Sequence, residues 1–135
     1  MKLYLAAVIM LSAITSCHKD DPAESKYERK FSPVVSTELQ NAGAAGLTVS
    51  LKVTFQVYNG CGQFDSFVVS SDKDTGVVKV LARYPKEAFC TQDIPQRTAT
   101  FKKTFPAPGT YYIKWVGPAQ SGPETVTHRD TITVK

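Results

Sequence analysis

Leu47-Thr48-Val49-Ser50-Leu51-Lys52-Val53-Thr54-Phe55-Gln56-Val57-Tyr58 is the stretch that decides the fold. Leu47, Val49, Leu51, Val53, Phe55 and Val57 alternate without a break with Thr48, Ser50, Lys52, Thr54, Gln56 and Tyr58. A strand puts every second side chain on one face, whereas a helix scatters those six apolar residues around its circumference. The stretch therefore predicts a half-buried β-strand. Asn59-Gly60-Cys61-Gly62 then ends the run as a turn.

The same signals continue downstream. Phe64 to Ser71 reads as a strand, and Val77 to Tyr84 as its partner. Asp72-Lys73-Asp74-Thr75-Gly76 between them has the composition of a hairpin. Pro85 to Pro95 is a loop holding Cys90. Thr98 to Phe105, Thr110 to Val116 and Val126 to Val134 are further strands, the second with Tyr111, Ile113 and Trp115 on one face. Val34-Val35 suggests a short edge strand, and Asn41 to Gly46 a connector. About seven short strands without a helix predict an all-β, antiparallel, immunoglobulin-like sandwich.

Upstream the composition changes. Met1-Lys2 precedes an apolar run, Leu3 to Ile14, of secretory length and too short to span a bilayer. Ile14-Thr15-Ser16-Cys17 resembles the lipobox of bacterial lipoproteins, with Ile14 where the pattern prefers leucine. That resemblance implies cleavage before Cys17 and lipid on its thiol, the alternative being an ordinary signal peptide. Several acyl chains anchor firmly where one is marginal, at roughly 0.8 kcal/mol per buried CH₂. Lys19, Asp20 and Asp21 follow at once and resemble the export signal of surface lipoproteins in the Bacteroidota. This implies display on the outer membrane, facing the cell exterior, with the periplasmic leaflet as the alternative. The expected organisation is a signal peptide at 1–16, a lipidated, charged tether at 17–30 and a sandwich domain at 31–135.

Cleavage would remove Lys2 from the 16 basic residues, leaving 15 against 12 acidic. So mild an excess, with the lysines scattered and only Lys102-Lys103 adjacent among them, argues against nucleic acid as a partner. Of three cysteines, Cys61 and Cys90 remain once Cys17 is lipidated. An even pair in an oxidising compartment predicts a disulfide, the alternative being two free buried thiols. No CxxC pairing exists, and the two histidines, His18 and His128, lie far apart. Neither a metal site nor a cofactor is expected.

Phe105, Pro108-Gly109-Thr110-Tyr111-Tyr112-Ile113 and Thr131-Ile132-Thr133-Val134 resemble the C-terminal half of PKD-type immunoglobulin-like domains. The resemblance implies that Gly109 turns a corner, and that Tyr111 packs there and bonds back to the backbone. The family's early glycine-aspartate motif is missing, and the two cysteines belong to another pattern. The whole arrangement (lipobox, NGCG, a later CTQ, then PGTYYIKW) is similar to small surface lipoproteins of Bacteroidota, which implies no activity.

Other constellations carry less. His128 and Asp130 share a strand face, but without nucleophile context they read as a polar edge strand. Glu38, Glu87, Asp93 and Glu124 fall in different expected loops with no pairing signal. Asp72-x-Asp74-x-Gly76 lacks the further ligands of a calcium loop. Tyr58, Tyr84, Phe89 and Tyr112 could form a sugar-stacking surface, whereas Trp115 belongs to the core, against the disulfide or Tyr111. The expected function is a non-enzymatic binding or structural module, held to a membrane through Cys17, with a protein or glycan ligand. The alternatives are a proteinase-inhibitor-like module presenting Pro85 to Pro95, and a carbohydrate-binding accessory protein.

Overall fold

The computed structural model describes residues 26–41, 48–72, 75–119 and 123–135. Among them are eight strands: β1 (Tyr27–Ser32), β2 (Val34–Asn41), β3 (Thr48–Gln56), β4 (Gln63–Asp72), β5 (Thr75–Pro85), β6 (Gln96–Thr104), β7 (Gly109–Gly117) and β8 (Thr125–Val134). They form two packed sheets, an all-β sandwich consistent with the immunoglobulin-like class. One sheet has the order β2-β3-β6. The other holds β4, β5, β7 and β8, with β1 also on β5.

The alternating stretch is β3, in which Val49, Leu51, Val53 and Phe55 face inward. Val57 remains fully buried just past its end. Val78, Val80, Ala82 and Tyr84 of β5 oppose them, with Phe101, Ile113, Trp115, Ile132 and Val134 completing the core. Trp115 is fully enclosed and lies edge-on to Phe101 and Phe67, at ring-centroid distances of 5.3 and 6.2 Å. Its neighbours are thus these two phenylalanines, and neither the disulfide nor Tyr111 is its ring partner. Tyr111 instead stacks on Phe105 at 4.2 Å and donates its hydroxyl to Ala107 O at 2.9 Å. Tyr111 thus bonds back to the backbone just before Gly109, as expected of this tyrosine.

Three features depart from the expected architecture. First, the chain is already a strand at Tyr27, inside the expected tether. β1 pairs with the outer half of β5, from Tyr27↔Pro85 to Ser32↔Val80. Its residues bury little, so backbone pairing and edge contacts hold it rather than core burial. Arg29 donates to Asp65 at 3.2 Å, and the Arg83 guanidinium lies 5.3 Å from the Tyr27 ring centre. Second, β2 extends well beyond Val34-Val35. It is an edge strand with two register shifts against β3, and only Val34 is buried. Such a strand carries no period-two pattern.

Third, β5 and β7 pair in parallel, from Thr75↔Tyr112 to Val78↔Trp115, so the sandwich is not purely antiparallel. The chain leaves β5 for β6 in the opposite sheet and returns as β7. Two reversals restore the original direction. β4 covers one edge of β5, so β1 and β7 share the other, end to end. The chain crosses between sheets at Pro33, where β1 gives way to β2. A Cβ on Gly117 would approach Pro33 Cα to 2.9 Å, so the end of β7 passes the crossover only as glycine.

Candidate functional site: the disulfide-stapled end

The turn after β3 is built by Asn59. Its side-chain Oδ1 accepts from Cys61 N at 3.0 Å, and its carbonyl accepts from Gly62 N at 3.2 Å. A Cβ at Gly62 would lie 2.6 Å from Val57 Cβ and 2.7 Å from Tyr84 Cε1. The turn can close over the core only with glycine there.

The loop after β5, residues 86–95, is tied to this turn at several points. Gly60 N donates to Thr91 O, and Val57 N donates to Pro95 O, both at 3.0 Å. Arg97 at the start of β6 donates to Gly60 O at 3.0 Å and to Gly62 O at 3.2 Å. Cys61 and Cys90 form a disulfide with a Cα separation of 5.4 Å, as their count and expected compartment predict. Arg97 carries no motif, so its clamp on the turn was not legible in the sequence.

Tyr58 and Tyr84 sit beneath the loop, their ring centres 6.1 Å apart. Tyr84 OH accepts from Tyr58 N at 3.1 Å, and Tyr58 OH donates to Phe31 O at 2.9 Å. Partial burial, and then the neighbouring Tyr84, push the Tyr58 phenol above its ordinary value of 10.0. It remains a protonated donor. The chain also enters the fold here, where Lys86 N donates to Lys26 O at 3.0 Å.

The surface of this end is apolar at its tip. Phe89 is fully exposed, Ile94 is 58% exposed, and Tyr58 and Tyr27 show 43% and 37%. A cleft of about 440 Å³ runs between Tyr58, Tyr84, Lys30, Lys86 and Phe89. A second, of about 560 Å³, adjoins it at Lys26, Tyr27, Lys86 and Glu87.

The other candidates are placed elsewhere. Tyr112 lines a cleft with Thr75 and Phe105 at the opposite end, and Tyr84 is buried, so the four aromatic residues make no single stacking platform. His128 and Asp130 do meet, at 3.5 Å, but inside a network that joins the two sheets. The Thr37 hydroxyl donates to Asp130 Oδ1 at 2.6 Å, and so accepts from His128 Nε2 at 3.0 Å. Trp115 Nε1 donates to Asp130 Oδ2, also at 2.6 Å. The polar face of β8 thus buttresses the core. Thr37, on a strand without periodicity, gave no signal of this role.

The four acidic residues stay apart. Glu38 lies on β2 rather than in a loop and pairs with Lys52 at 3.6 Å, while Glu124 pairs with Lys79. β4 and β5 pair up to Asp72↔Thr75, as a hairpin requires. Lys73 and Asp74 lie outside the described residues, as do Cys17, Lys19, Asp20 and Asp21. Among the described residues, no group of His, Cys, Asp and Glu gathers to hold a metal, and no helix is long and apolar enough to cross a membrane.

Fold and site together define a β-sandwich domain with two loops stapled at one end. The chain belongs to the ORF11 beta-sandwich domain family, whose pattern matches residues 51–134, more than half of its length. The match runs from within β3 to the last residue of β8 and includes both bridged cysteines. No curated protein and no solved structure matches the chain.

Proposed function

We propose that the protein is an outer-membrane lipoprotein, anchored through lipid on Cys17 and displayed on the cell exterior, whose sandwich acts as a non-catalytic binding module. The observation that carries this reading is the Cys61–Cys90 disulfide. It fits an oxidising compartment, and it occupies both other cysteines, so Cys17 is the thiol left for acylation. The binding surface is the stapled end, where a rigid loop holds a fully exposed phenylalanine. An exposed aromatic residue on a braced loop is a feature of recognition surfaces. His128 and Asp130 are engaged in structure, bound to Thr37 and Trp115. Kinship with PKD-type domains is supported by the Tyr111 corner, and kinship with Bacteroidota surface lipoproteins by Lys19, Asp20 and Asp21.

Replacing Lys19, Asp20 and Asp21 together with alanine tests the display. Protease shaving of intact cells should degrade the wild type and spare the variant, with both retained in the membrane fraction. Equal shaving of the two would remove the basis for surface export.

A further inference from the structure

We propose that the stapled end is seated on the bilayer that carries the anchor, with Phe89 at headgroup depth and Lys26 and Lys86 facing lipid phosphates. This deepens the reading above and rests on lipid at Cys17. Three observations lead to it.

The first is where the chain enters. Lys26 O accepts from Lys86 N, the first residue of the stapled loop, so the anchor arrives at this end of the sandwich. The second is reach. Lys26 is nine residue steps beyond Cys17, and at about 3.3–3.6 Å each these span about 30 Å when fully extended. β5 alone has 11 residues, about 36 Å at about 3.3 Å each. The far end of the domain cannot turn to face the membrane on so short a leash. The third is composition. Phe89 projects fully exposed, Tyr27 and Tyr58 are partly exposed beside it, and Lys26, Lys30 and Lys86 line the adjoining clefts. Glu28, which pairs with Lys30 at 3.3 Å, and Glu87 moderate that charge. Insertion of the aromatic tip is therefore the principal contact, and the lysines orient it. Amphipathic rings with flanking lysines are suited to the headgroup boundary.

The test uses the full-length, membrane-extracted protein in vesicles of phosphatidylethanolamine and phosphatidylglycerol brominated on their acyl chains. With the bromines placed on the first acyl carbons beyond the headgroup, Phe89→Trp should be quenched about twofold or more, because bromine quenches only rings within short range and an interfacial ring lies at that boundary. Val69→Trp, at an exposed position near the far end of β4, should match the wild-type background. Intact mass of the same preparation reports lipid at Cys17. A lipid-free mass sinks the anchored reading itself. Lipidated protein in which Phe89→Trp is unquenched, or in which both tryptophans are quenched alike, overturns the seating alone. A blue shift without quenching also overturns it, because the ring is then shielded by protein rather than by lipid.

Discussion

Trp115 is where burial and polarity meet most closely in this domain. Its ring is fully enclosed between Phe67 and Phe101, and its N–H is used by Asp130. Trp115→Ala would leave a cavity and strip Asp130 of a donor, so it should destabilise the domain by about 3–5 kcal/mol. Urea unfolding followed by circular dichroism measures this directly, and an unchanged midpoint would place the ring outside the core. The alternation of Tyr111, Ile113 and Trp115 announced that face of β7, but not the hydrogen bond. A pattern of apolar positions says which side chains turn inward. It says nothing about which polar atom on a neighbouring strand waits for an indole N–H.

Among the elements, legibility followed burial. Strands β3, β5 and β7 alternate because one face of each meets the opposite sheet, and their positions could be read to within a few residues. β1 and most of β2 lie at edges, held by backbone pairing that any sequence can make, and so left little trace. The parallel pairing of β5 with β7 was illegible for another reason. Periodicity fixes which way a side chain faces, not which strand lies alongside. The cysteines were legible as a pair, because their even count and the expected oxidising compartment sufficed. The loop they close spans a sequence separation of 29, and on the chain-entropy model such a bridge stabilises by about 3–4 kcal/mol. Cys61→Ser with Cys90→Ser should therefore lower the urea midpoint while leaving the sandwich intact. The Arg97 clamp and the bonds of Gly60 and Val57 still hold the two loops. No loss of stability would mean that those bonds alone define the stapled end.

At the scale of the whole molecule, the start of β1 and the two braced loops lie at one end of the sandwich, and the proposed lipid on Cys17 lies upstream of that start. The stapled end draws on residues distant in sequence: Lys26 and Lys30, the Asn59 turn, and the loop from Lys86 to Pro95. Only the fold unites them, which is why the sequence suggested a binding end without showing that Lys26 and the start of β1 lie at the same place. The family match begins within β3, so β1, which brings the chain to that end, lies outside the shared pattern.

Intact mass spectrometry of the mature protein tests the proposed anchor on Cys17. Protein extracted from membranes should begin at Cys17, carry the added mass of a diacylglycerol with or without a further acyl chain, and retain one disulfide. Cys17→Ala should accumulate at the mass of the uncut precursor, without lipid. A mature wild-type chain free of lipid, or a Cys17→Ala variant still bearing it, would contradict the account.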